Sequence, residues 1–173
     1  GIMSSYNIID GTSCTGSHEL LTQLLREEWG FKGYVVPDAG AIFKLKWDRF
    51  AEDEASACAL AIKSGVDMDL WNPDRFIPAM KQALDRGLLD MEDIDKAVGH
   101  FLGVKFEMGL FENPYADETK PVEVLGCGAH RDVALEAARK SLVLLSNQND
   151  LLPLNDIKSL AVIGPNADEF MNQ

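Results

Sequence analysis

The sequence predicts an α/β fold in which parallel strands alternate with helices, on three observations. Gly30 and Gly33 bracket a turn that feeds Tyr34-Val35-Val36, a short, β-branched apolar run of the buried parallel-strand type that ends at Pro37-Asp38. A similar run lies upstream at residues 2–6. Between the two, Leu20, Leu21, Leu24 and Leu25 share one helical face, opposite Arg26, Glu27 and Glu28. The order then repeats, with a helical stretch at 52–64 and an apolar run at 66–70. This is the β-α-β succession from which parallel sheets and barrels are built.

Taken in order, residues 7–16 form a loop with turn chemistry at Asp10-Gly11, and Ser17 caps the first helix, which Trp29-Gly30 ends. Residues 42–50 interleave Lys44, Lys46 and Arg49 with Phe43, Trp47 and Phe50, which suits a substrate-facing loop or an amphipathic surface. The helix at 52–64 carries a small-residue packing face (Ala55, Cys58, Ala59 and Ile62), and Gly65 closes it. Residues 66–70 read as a strand with Asp67 and Asp69 on one face. Two such carboxylates can bind a divalent cation, act as an acid/base pair, or hydrogen-bond nearby backbone. No His or third carboxylate stands at ligand spacing, which favours the backbone role.

A helix at 74–85 stops at Gly87, and the next begins with Asp90 as its cap and Asp93 at the positive end of its dipole. Ile94, Val98, Phe101, Leu102 and Phe106 make its apolar stripe, while His100 faces no partner that spacing identifies. Residues 116–128 are polar, with Pro121, Gly126 and Gly128, and read as a linker. An amphipathic helix at 129–146 follows, then a turn at 151–154 and a buried strand at 160–163 leading into Gly164. Pro165 removes a donor there, so the segment is a poor phosphate loop.

Sixteen basic against 28 acidic residues leave a net charge of −12, which argues against nucleic-acid or anionic-membrane partners. The three cysteines, Cys14, Cys58 and Cys127, are widely spaced and predict neither a zinc site nor a disulfide framework. No apolar run approaches the roughly 20 residues that span a bilayer.

Asp38 is the focus of the chemistry, because the carboxyl ends of parallel strands face a crevice built from loops. By itself it could be a nucleophile, a general base, a metal ligand or the cap of the next helix. The surrounding residues are more specific. Met3, Tyr6-Asn7, Asp10-Gly11, Leu20-Leu21 and Leu25-Arg26-Glu27-Glu28-Trp29-Gly30-Phe31, continuing through Gly33, Val35-Val36 and Asp38, resemble the catalytic barrel of glycoside hydrolase family 3. Two later stretches also resemble that family. Residues 104–115 are similar to its exit from the barrel, and residues 130–167 to the start of its second domain.

The resemblance implies that residues 1–115 are the C-terminal part of a (β/α)8 barrel, residues 116–128 a linker, and residues 129–173 the start of an α/β sandwich domain. It implies a retaining β-glycosidase with Asp38 as nucleophile, and Met3, Tyr6 and Ala39 as sugar-binding or subsite positions. The substrate would be an oligosaccharide or an aryl or alkyl β-glycoside, with no cofactor and no metal. The acid/base Glu of the family comes from the second domain, and no Glu here matches it. The chain is therefore expected to be a piece of the enzyme, with little activity alone.

Two residues depart from the family pattern. Pro37 stands where Ser is common, and Ala39 where many β-glucosidases have Trp. The missing indole leaves the aglycone side open or rebuilt from elsewhere, and admits xylose or arabinose beside glucose. Trp47 can stack on a sugar ring or pack internally. Outside the family, a metal-dependent barrel lyase or isomerase using Asp38, Asp67 and Asp69 is the alternative.

Overall fold

The computed structural model describes residues 1–168, which fall into two compact units divided between Ala116 and Asp117. In the first unit the expected strands form as β1 (Ile2–Ser4) and β4 (Val35–Pro37), paired in parallel with Ile2 opposite Val35, Met3 opposite Val36 and Ser4 opposite Pro37. Between them, the expected loop is a small hairpin of β2 (Ile8–Ile9) and β3 (Thr12–Ser13). Asp10 and Gly11 both adopt positive φ at its tip, the conformation a two-residue hairpin turn requires. The first helix is wound as a π-helix, Glu19–Glu28, with Ser17 accepting from the Leu20 N–H and Leu21 and Leu25 buried.

The segment expected as a loop or amphipathic surface is helical: α1 (Ala41–Trp47) buries Ile42, Phe43 and Leu45 and turns Trp47 outward. Helix α2 (Glu54–Ser64) starts at a reciprocal cap, in which Asp53 accepts from Ser56 N and the Ser56 hydroxyl accepts from Asp53 N. Those bonds to Ser56, with the Arg86 guanidinium, lower the Asp53 carboxyl to about 2. Ala55, Ala57, Cys58, Ala59, Ala61 and Ile62 are all buried, so α2 is enclosed on more than the single face its small residues suggested. At its end Gly65 takes φ 116°, and a Cβ there would stand 2.9 Å from Thr22 Oγ1, so the position requires glycine.

Helices α3 (Pro73–Asp85) and α4 (Met91–Glu107) follow as expected, the latter with a reciprocal Asp90–Asp93 cap. The packed face of α4 differs from the expected stripe. It centres on Ala97, flanked by Ile94 and by Phe101 in edge-to-face contact with Tyr34, while Val98, Leu102 and Phe106 are exposed.

The expected strand at 66–70 does not form, and three side chains explain why. Along β4, Tyr34, Val36 and Asp38 direct their backbone polar groups toward β1, so Val35 and Pro37 face the other neighbour. Asp67 N–H does bond Val35 C=O at 2.9 Å. The matching bond, from Val35 N–H to Gly65 C=O, is displaced: the Asp67 carboxylate takes the Val35 N–H at 2.6 Å and Arg26 takes the Gly65 carbonyl at 3.4 Å. The next ladder donor would be residue 37, which is proline and has none. Among the described residues the parallel sheet therefore has two strands, and the barrel expected over residues 1–115 is represented by an α/β piece rich in helix.

In the second unit, the stretch expected as a linker contains α5 (Lys120–Val124), and the helix expected over 129–146 forms as α6 (Gly128–Ser141), ending where Leu142 turns extended. The strand expected at 160–163 is absent and its side chains are exposed, because a strand needs a paired neighbour and none lies beside it among the described residues.

Candidate active site

Asp38 stands one residue past β4, half-buried, with its N–H donating to Ser4 C=O at 3.1 Å. Parallel pairing directs Ser4, Val35 and Pro37 into the core, and these three are buried. Met3, Val36 and Asp38 belong to the opposite face. Asp38 does not cap the following helix. The cap position of α1 is Gly40, at φ 78°, and no side-chain cap hydrogen bond is found there among the described residues. The carboxylate instead accepts from the adjacent Ala39 N–H through Oδ1, at 2.7 Å, and no hydrogen bond to Oδ2 is found among the described residues.

Tyr6 joins Asp38 and Ala39 in one cluster. Its hydroxyl donates to Ala39 C=O. Desolvation first, then the negative charge of the nearby Asp38 carboxylate, raise the phenol above its ordinary value of 10.0. Tyr6 is thus held as a neutral donor beside the carboxylate. Met3, on β1, is exposed and does not line the cleft that Tyr6 and Ala39 border. That cleft, of about 370 Å³, is bounded by Tyr6, Ala39, Phe43, Trp47, Trp71 and Arg75. Trp47 is 66% exposed, so internal packing is not its role.

Trp71 was not singled out by the sequence reading, although a tryptophan between an acidic segment and a proline-initiated helix is a usable signal. Its indole lies against Gly40, within 3.7 Å of where a Cβ would stand. Asp69 holds the loop that carries it: one carboxylate oxygen accepts from Trp71 N at 3.3 Å and Asn72 N at 2.7 Å.

Asp67 and Asp69 do not join Asp38. The Asp67 side chain is 3% exposed and accepts from Arg26 at 2.6 Å, from Val35 N–H at 2.6 Å and from His100 Nδ1 at 2.8 Å. His100 therefore has a partner that helical spacing could not identify. Among the described residues no three His, Cys, Asp or Glu side chains converge as metal ligands, and both carboxylates accept from backbone N–H groups.

Comparisons with known proteins bear on this arrangement. The family model for the Glycosyl hydrolase family 3 N terminal domain matches residues 1–104. The chain is 39% identical over 174 residues to a periplasmic β-glucosidase of Salmonella typhimurium, covering 96% of this chain and 22% of that protein. It is 39% identical over 178 residues to a β-xylosidase of Formosa agariphila, covering 97% and 24%. Among solved structures it resembles a β-glucosidase from Listeria innocua with a TM-score of 0.71 and 30% identity, covering 88% of this chain and 21% of that one. A β-glucosidase from Erythrobacter marinus gives 0.73 and 34%, covering 89% and 20%. The chain thus spans about a fifth of the length of the proteins it resembles. It belongs to glycosyl hydrolase family 3, with residues 1–104 matching that family's N-terminal domain.

Proposed function

We propose that the protein carrying this chain is a retaining β-glycosidase that removes terminal β-D-glycosyl residues, with Asp38 as the nucleophile. The observation that carries the reading is the Asp38 carboxylate itself. It lies at the carboxyl end of a parallel strand, half-buried, with one oxygen oriented by a backbone N–H and the other without a protein donor among the described residues. In the retaining course this carboxylate attacks C1 of the sugar as a second carboxyl group protonates the departing oxygen. Water, activated by that second group, then cleaves the glycosyl ester; the two carboxyls work about 5–5.5 Å apart.

Tyr6 supports the arrangement by binding Ala39 C=O and keeping its proton next to the negative charge. On this reading Met3 and Tyr6 are the sugar-subsite positions, and Ala39 borders the leaving-group side. Residues 1–115 would contribute the C-terminal part of a (β/α)8 barrel, 116–128 a linker and 129–173 the start of a sandwich domain that supplies the acid/base. Glucose is the first choice of glycone. A β-xylosidase activity is the second reading, favoured by Ala39 in place of a bulky aromatic and by the β-xylosidases among the relatives.

The test is to treat the complete enzyme with 2-fluoro glucosyl and 2-fluoro xylosyl donors bearing activated leaving groups, and to map the label by peptide mass. The expected result is a sugar mass on the Asp38 peptide, absent in Asp38→Ala, with the faster donor naming the glycone. A label on another carboxylate would overturn the assignment of the nucleophile.

A further inference from the structure

The cleft beside Asp38 is chemically unlike a sugar site. A pyranose carries hydroxyls around its ring, and discrimination among sugars needs donors and acceptors to meet them. Here the lining is almost wholly apolar. The charged side chains on its border are already engaged: Lys44 binds both oxygens of Asp48, and Arg75 pairs with Glu54 while its guanidinium lies 4.2 Å from the centroid of Phe43. Asn72 is the one lining residue with a neutral side-chain amide. What remains is aromatic surface. Trp47 and Trp71 are two-thirds exposed, on a cleft whose volume suits a single ring system.

The position of Trp71 is specified by a neighbour in its own loop and by Gly40, thirty-one residues earlier. Asp69 fixes its backbone, Gly40 leaves room for its indole, and positive φ at Gly40 disfavours any side chain that would fill that room. The indole therefore borders the space beside Ala39, where a larger residue at position 39 would otherwise stand. The second oxygen of Asp69 is buried without a partner among the described residues, so this carboxylate is desolvated while holding a surface loop.

We propose that this cleft binds the leaving group of the glycoside, that Trp71 is its principal platform, and that it selects planar apolar aglycones. Asp69 is a positioning residue that acts through Trp71. The inference rests on the glycosidase reading above, and deepens it by naming the aglycone class.

The test compares kcat/KM of the complete enzyme for 2-naphthyl and phenyl glycosides of one sugar, whose leaving groups are close in acidity but differ in planar apolar surface. The wild type is expected to favour the naphthyl substrate. Trp71→Ala should reduce that preference about tenfold, the scale of one lost stacking partner, chiefly through KM. Trp71→Phe should retain most of it. Asp69→Ala should lose it and Asp69→Asn, which keeps an oxygen acceptor, should recover it. Trp29→Ala, at an exposed indole outside the cleft, is the control and should leave the ratio unchanged. An unchanged ratio in both Trp71 variants would overturn the inference and leave the glycosidase reading standing. Failure of the wild type to cleave either glycoside would overturn that reading, and the inference with it.

Discussion

Cys58 illustrates how a single residue's chemistry follows from where its helix packs. It lies on α2 with no exposed surface, and burial, reinforced by the negative charge of Asp69, pushes its thiol up to about 12. The thiolate is the reactive form, so this sulfur should be inert at neutral pH. Iodoacetamide added to the native protein is expected to label the half-buried Cys127, and to reach Cys14 and Cys58 only after denaturant is added, as read by peptide mass spectrometry. Rapid native alkylation of Cys58 would mean that α2 is not enclosed as described. Helical spacing had put Cys58 on a packing face. The acidic neighbour behind it comes from a segment beyond the helix, which spacing does not reveal.

At the level of elements, the contact that joins most of them is the Asp67 side chain. It links the π-helix through Arg26, β4 through Val35 N–H and α4 through His100. Removing one partner of a buried ion pair leaves the other uncompensated, at a cost of about 3–5 kcal/mol. Asp67→Ala should therefore destabilise the complete protein by about that amount in urea denaturation. Asp67→Asn, which keeps an acceptor for the Val35 N–H, should cost less. Equal losses would show that the hydrogen bond to Val35 contributes nothing.

The helices other than α1 and α5 were legible because their signals are local. Asp90 caps, Gly65 and Gly87 stop, and apolar spacing defines the span. The strand expected at 66–70 was misread for the opposite reason: its apolar alternation is genuine, but ladder formation depends on β4, where Pro37 lacks a donor and Asp67 takes the remaining one. Pro37 was visible in the sequence. That it faces the 66–70 side was not.

On the scale of the whole molecule, the two units differ in burial. The first has a core of Val35, Ile42, Phe43, Leu45 and the α2 alanines, whereas no described residue of 117–168 is buried. Val133, Leu142, Leu144, Val162 and Ile163 are all exposed. Apolar surface of this extent is seldom left to water in stable proteins. A polypeptide of residues 1–173 is expected to bind the dye ANS strongly and to self-associate in sedimentation, and the complete protein to do neither. Weak dye binding by the short polypeptide would indicate that the second unit closes on itself.

The sequence by itself determined the α/β class, the helix ends and the acidic residue after a parallel strand, because caps, periodicity and strand ends are written in neighbouring residues. Family membership was legible too, since a long set of residue types at fixed spacing is a one-dimensional property. Tertiary structure decided the rest. Tyr6 against Ala39, Asp67 among three elements and Trp71 over Gly40 all join residues about thirty or more positions apart. Such contacts depend on how the chain returns on itself, and local spacing carries no information about that path.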